Sequence, residues 1–193
     1  MPRPKEFDQE LALDKAMELF WQQGYERTSI QDLVEKTGVH RGSLYDTFGD
    51  KNQFFLTCLD RFRQVSNHRL FSILEESGSP KEVLAHFFDK VIDSALRSET
   101  QRRGCFIANT AMELAAIDPG IASRVEAYNL DMESRFYQFL LKAQKQGGMK
   151  FHHTLRELSR FLVNTRNGLY VLGKTASDRQ SLQDVVKVAL SIL

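Results

Sequence analysis

Apolar positions recur every three to four residues along most of the chain and never alternate over strand length, so the pattern predicts helices throughout. The first helix opens near Asp8, turns Leu11, Ala12, Ala16, Leu19 and Phe20 inward and ends at Gly24, with Trp21 and Tyr25 at its packed end. A second starts at Thr28, whose hydroxyl is placed to cap the first turn while Gln31 reaches back. Its apolar face is Ile30, Leu33 and Val34, and it stops at Thr37-Gly38, because glycine tolerates the left-handed conformation that ends helices. Val39 then plugs the angle to a third helix, Arg41 to Phe48, which buries Leu44 and Phe48 and leaves Arg41, Gly42, Ser43, Tyr45 and Thr47 exposed.

After Asp50 one long helical pattern carries Phe54, Phe55, Cys58, Leu59, Phe62, Val65, Leu70, Phe71 and Leu74, and it breaks at Ser77-Gly78-Ser79-Pro80. Such a rod transmits displacement between what packs on its two ends. Five further helices are expected over about Pro80 to Ser98, Gly104 to Ala116, Pro119 to Gln146, Thr154 to Gly173 and Asp178 to Ile192. The fold expected is all-α: a three-helix helix-turn-helix head over residues 1–50, then a larger helical domain over 51–193 for ligand binding and dimerisation.

The turn between the second and third helices is about three residues, as a nucleic-acid-reading helix-turn-helix requires. Gly42 sharpens that reading, since a glycine inside a short helix costs about 1 kcal/mol against alanine. Close approach of the backbone to DNA would offset the cost. Two ordinary packed helices remain the bland alternative.

From about Phe7 to Phe55 the chain resembles the DNA-binding domain of TetR-family transcriptional regulators. The residues that carry the resemblance are ALDKAMELFWQQGYERTSIQDLVEKTGV and RGSLYDTFGDKNQFF, with the F-x-x-x-G-Y before a threonine, the T-G-V turn, G-S-L-Y-x-x-F and the following D-K. The resemblance implies that Thr28 and Ser29 contact phosphate at one helix start and that Tyr45 and Lys51 clamp phosphates on the other side. It places His40, Arg41, Gly42 and Ser43 at base edges. Arginine can take guanine through O6 and N7, and Lys51 sits at a helix amino end that attracts phosphate. Asp46 departs from the family pattern, because an acid there repels phosphate unless it accepts from a cytosine amino group or pairs with an arginine.

Charge adds no support for DNA binding. Basic and acidic residues number 26 and 25, and residues 1–51 hold seven Lys and Arg against ten Asp and Glu. Affinity must therefore come from a few well-placed cations. Arg3 and Lys5, between prolines, form either a short basic arm along DNA or a frayed terminus. At 193 residues and 42% hydrophobic the chain can bury a sizeable core. It has no apolar leader and no run long enough for a membrane span, so a cytoplasmic protein with no membrane partner is expected. Cys58 and Cys105 have neither a metal spacing nor a disulfide pattern and are expected as thiols.

The last two helices carry apolar stripes: Leu158, Phe161, Leu162, Thr165, Leu169 and Leu172, then Leu182, Val185, Val186, Ala189 and Leu190. Either they close the monomer core or, as the resemblance implies, they make a homodimer interface, with Gly168 letting backbones approach. Phe62, Phe87, Phe88, Phe106, Met112, Tyr128, Phe136, Phe139 and Tyr170, with Asn109, Glu113, Asn164 and Asn167 as polar points, could line a pocket for a small apolar effector. Cys105 belongs to that set and has a second reading. Following Arg102, Arg103 and Gly104 at a helix start, it could be a redox or electrophile sensor, as in some TetR-like repressors, or a small buried hydrophobe. His152-His153 lacks further ligands at metal spacing, so no metal and no cofactor are expected. No nucleophile with a base, paired carboxylates or phosphate loop points to an enzyme. The resemblance thus implies a homodimeric regulator, most simply a repressor, that binds a palindromic double-stranded operator and is released by a small apolar molecule.

Overall fold

The fold starts from helix ends that the local sequence fixes. In the computed structural model, which describes residues 7–96, 103–147, 152–176 and 178–193, α1 spans Gln9–Gln23 between the Asp8 cap and Gly24. Helices α2, Ile30–Thr37, and α3, Arg41–Phe48, follow, and then α4, Lys51–Phe71. Gly38 ends α2 at φ 77°, the left-handed conformation expected of it, and Val39 is buried behind the turn. The residues that cap α2 differ from expectation. Ser29, not Thr28, accepts from the Asp32 amide, and the Asp32 carboxylate returns to the Ser29 amide at 2.8 Å. Gln31 instead donates to Glu35.

The chain divides into two compact units, Met1–Val65 and Ser66–Leu193. The core of the first is Ala12, Ala16, Leu19, Phe20, Leu33, Leu44, Phe54, Phe55 and Leu59. Phe20 meets Phe55 edge-on at 5.0 Å, Phe48 stacks on Phe54 at 4.2 Å, and Trp21 packs on Phe62 at 5.1 Å. Arg61 ties α4 to α1 through Asp14 at 3.0 Å. Leu11 and Val65, both expected inside, are about half exposed, because each lies at the edge of its helix's apolar stripe. Cys58 is fully buried, and burial pushes its thiol well above the usual range.

The second unit takes in the last turns of α4, which tightens into a 3-10 turn, Ser72–Glu75, so the long apolar pattern does not stay α-helical to Leu74. Five helices follow: α5, Pro80–Ala95; α6, Phe106–Leu114; α7, Pro119–Lys145; α8, Leu155–Leu172; and α9, Gln180–Ser191. Ser79 with Glu82 and Thr154 with Glu157 form capping boxes, and Asp118 caps α7. Phe87, Phe88 and Phe136 form the aromatic centre between α5 and α7, joined by Phe71. Helices α5 and α8 pass so closely that a Cβ on Gly173 would lie 2.6 Å from the Ala95 Cβ. Arg179 binds Asp89 and Asp93 of α5, and Glu133 of α7 receives Arg156 and Arg160 of α8. No strand occurs among the described residues, as the helical period predicts, and none of their helices is long and apolar enough to cross a membrane.

Most of the expected α8 and α9 stripe is monomer core. Leu158, Leu162, Thr165, Leu169, Leu182, Val186 and Ala189 are buried within the second unit. What remains outside is a narrower apolar set: Phe161, Val171, Leu172, Val185 and Val188.

Candidate functional site

Helix α3 begins without a side-chain cap, since His40 at its N-cap makes no such hydrogen bond. Its core anchor is Leu44, which leaves His40, Arg41 and Gly42 exposed and Ser43 and Tyr45 partly so. A Cβ on Gly42 would meet nothing within 4 Å. No packing need within the protein selects glycine there. The Arg41 guanidinium rests on Tyr45 one turn along, donating to its hydroxyl at 3.2 Å with Cζ 5.3 Å from the ring centre. Lys51, at the start of α4, places Nζ 4.2 Å from the Tyr25 ring, while Asp50 caps that helix through the Gln53 amide. Ser29 is exposed at the start of α2. The arrangement offers spare donors and two lightly held cations, chemistry suited to phosphates and base edges.

In the second unit a different cluster forms at the start of α6. Gly104 adopts φ 67°, and a Cβ there would lie 2.8 Å from Lys174 Cε and 3.2 Å from the Tyr170 carbonyl oxygen, so glycine lets this loop close onto the end of α8. Cys105, the α6 N-cap, is thereby held against Arg166 of α8. Arg166 is 2% exposed. Its Nη1 donates to Asn167 Oδ1 at 3.1 Å, its Nη2 to Tyr128 Oη at 3.2 Å, and both lie 3.9 Å from Cys105 Sγ. The Tyr170 ring centre is 4.8 Å from Cζ. Only Nε lacks a partner, and none of the described ion pairs gives this arginine a carboxylate. Burial opposes its charge, while the Tyr128, Cys105 and Tyr170 groups around it push the other way, and an arginine keeps its proton even here. Burial also pushes the Tyr128 hydroxyl above its ordinary range, so it remains a neutral phenol.

Comparison with known proteins agrees with both units. Residues 12–58 match the family of bacterial regulatory proteins described as the tetR family, and residues 80–189 match the tetracyclin repressor-like C-terminal domain. The chain is 38% identical to the uncharacterized HTH-type transcriptional regulator YezE of Bacillus subtilis, with all of both chains covered. The chain belongs to the TetR family. It is also 33% identical to the HTH-type transcriptional repressor ComR of Escherichia coli, over 98% of this chain and 90% of that one. Among solved structures it resembles a cysteine-substituted TetR family regulator, CifR, in complex with a 26 bp double-stranded operator, at 25% identity, TM-score 0.86 and 98% of each chain.

Membership of the TetR family makes the protein a DNA-binding transcriptional regulator with a helix-turn-helix in its first unit. One expected phosphate contact needs correction: Thr28 is fully buried, its hydroxyl donates to the Gly24 carbonyl at 2.6 Å and its amide to Tyr25, so neither donor is free. Of the TetR-type effector residues expected, Cys105, Tyr128, Asn167 and Tyr170 converge on Arg166, Phe106 is buried next to Cys105 at the start of α6, and Asn109 fastens the α6 loop by donating to the Arg103 carbonyl at 2.6 Å. The others do not join them. Met112 is 60% exposed on the outer face of α6, Glu113 and Asn164 are exposed, Phe62 packs in the first unit, and Phe88 belongs to the Phe87–Phe136 aromatic centre. Phe139 lines a surface groove of about 260 Å³ with Phe71, Leu74, Arg135 and Lys142. Cys105 is only 2% exposed, and reactive sensor thiols are partly exposed, so the geometry favours its reading as a packed residue. Arg3, Lys5, Arg102 and Phe151 lie outside the described residues.

Arg166 is the residue the sequence reading missed. It falls four residues after Leu162 and eight after Leu158, on the apolar stripe, and a cation at such a position signals a buried charge.

Proposed function

We propose that the protein is a homodimeric repressor that holds a palindromic double-stranded operator and lets it go when a small-molecule effector binds the second unit. The observation that carries this is the α3 face, with Arg41 and Gly42 uncovered, Ser43 half-exposed beside them and open space over Gly42. In this reading Tyr45 and Lys51 bind phosphates, Ser29, whose amide and hydroxyl both donate to Asp32, joins them only by exchanging that carboxylate for a phosphate, and His40, Arg41, Gly42 and Ser43 face bases. Residues 1–50 supply the reading head, and 51–193 supply effector binding and dimerisation. ComR is named a repressor and CifR is bound to operator DNA, which supports the same role here. The protein works in the cytoplasm, where its DNA lies, and as a regulator rather than an enzyme.

Two recognition helices must enter successive major grooves about 34 Å apart, which requires a two-fold body. The exposed apolar set on α8 and α9, led by Val188 at 64% exposure and Leu172 at 49%, is the surface suited to that contact, and Gly168 has no neighbour within 4 Å of a built Cβ. Effector binding selects a conformation in which the two heads no longer match the grooves, with α4 as the continuous element leading out of the head. The test is a mobility shift on the DNA upstream of the protein's own reading frame, run beside sedimentation of native protein and Val188→Asp. A dimer that shifts the fragment, and a variant that is monomeric and shifts it poorly, are expected. A native monomer that binds DNA as tightly as its variant would overturn the dimer reading.

A further inference from the structure

A buried guanidinium needs a counter-charge, and Arg166 has none among the described residues. Its five N–H donors are nearly all assigned, to a sulfur, a phenol oxygen and an amide oxygen, and the donor left over is Nε, itself sealed from water. A second positive feature meets it at the same point. Helix α6 follows Cys105, whose side chain gives no cap hydrogen bond, so the end of a nine-residue helix that carries the positive pole of its dipole lies at the same loop. The walls are apolar or aromatic: Phe106, Tyr128 and Tyr170 are all buried here.

We propose that this is an anion site and that the effector is an apolar molecule carrying one carboxylate, anchored by Arg166 through Nε. The inference rests on the reading of the protein as an effector-released regulator and names the chemistry of its ligand. A carboxylate oxygen accepts from the one spare donor, Nε, in a charge-assisted hydrogen bond and supplies the missing negative charge. One unassigned donor among rings suits a monoanion with an apolar body better than a phosphate dianion, which needs several donors. Cys105 covers the far edge of the fork, so the ligand approaches on the Nε side. Tyr128 and Asn167 hold the guanidinium flat for it.

The test uses the full chain and three defined probes: sodium acetate, propionate and benzoate, each against sodium chloride at equal ionic strength and against the neutral acetamide, propionamide and benzamide. Benzoate at about ten times its half-saturating concentration is expected to raise the melting temperature by roughly 3 °C, with benzamide silent. Arg166→Met should abolish the shift while its own melting temperature without ligand holds or rises, because an uncompensated charge has been replaced by an apolar chain of similar size. If that variant does not fold, Arg166→Lys keeps the charge without the fork, and apparent benzoate affinity should drop at least about fivefold. The inference is overturned if no carboxylate exceeds chloride, or if the benzoate shift survives unchanged in either variant. A parallel mobility shift separates the two readings. DNA binding without any carboxylate effect removes only the anion site, whereas carboxylate binding through Arg166 in a protein that binds no duplex removes the regulator reading.

Discussion

On α3, Arg41 lies at the surface with its guanidinium resting on Tyr45 one turn along, whereas on α8 Arg166 is sealed among Tyr128, Tyr170 and Cys105 with its Nε unmatched. Both are arginines leaning on tyrosines, yet they suit different partners. The exposed one is solvated and can swing to a base or phosphate at little cost, and its worth falls as salt screens it. The buried one is dehydrated and fixed, so it can discriminate sharply for a single anion of the right shape. A charge held loosely at a surface suits a polymer, and a charge locked in a core suits one ligand.

Mutations can break that comparison, beginning with the largest effect. Phe136→Ala, in the aromatic centre of the second unit, is expected to cost about 3–5 kcal/mol of stability by denaturant unfolding. It calibrates what true core is worth, and an Arg166→Met variant losing as much would make Arg166 an ordinary structural residue. Next, Arg41→Ala should weaken operator binding by about 1–3 kcal/mol and relax base preference, with stability changed by less than about 0.5 kcal/mol. Lys51→Ala should weaken all duplexes alike and lower the salt slope by about one, measured by anisotropy across a salt series.

Gly42→Ala should act with opposite signs on the two properties. The helix gains about 1 kcal/mol because the added Cβ meets nothing in the protein, while operator affinity falls because that Cβ meets DNA. Unfolding and binding measured on one preparation decide it, and unchanged affinity would mean that the α3 backbone does not approach a duplex. Ser29→Ala should cost about 1 kcal/mol through loss of the α2 cap.

The smallest effect is in pH. Hydrogen bonds from Ser29, Ser79 and Thr154 hold the Asp32, Glu82 and Glu157 carboxyls below their usual values, 3.8 for Asp and 4.5 for Glu, and the Arg179 hydrogen bond does the same for Asp93. The folded state therefore binds fewer protons than the unfolded one in this range. These contributions are present above about pH 4.5 and are lost as pH falls below those values, a decline that thermal scans from pH 6 to pH 3 should show.

Helix boundaries were readable in the sequence wherever a punctuator fixes them: Asp8 and Gly24, Gly38, and Arg41 to Phe48 all fall where glycine conformation and capping chemistry require. The Thr28 and Ser29 roles were exchanged because two adjacent hydroxyl residues can both cap, and only tertiary burial decides which turns inward. The exposed start of α3, Arg41 and Gly42, was legible for the same reason as the helix itself, whereas Phe48, expected buried with Leu44, is half-buried, as are Ser43, Tyr45 and Thr47. Pocket membership was not. Phe88 and Tyr128 sit on equally apolar faces, and helical period cannot tell the aromatic centre from the wall of a charged cluster. The α8 and α9 stripe likewise mixed core with surface, because a helix packed on two neighbours buries more than one edge.

The measurement that bears most directly on the account is fluorescence anisotropy of native protein and Arg41→Ala on the operator fragment and on a scrambled duplex of equal length. The account predicts that Arg41→Ala reduces the operator-to-scrambled affinity ratio by about tenfold or more while binding to the scrambled duplex changes little. Equal loss on both duplexes, or no loss on either, would contradict the claim that the exposed face of α3 reads bases.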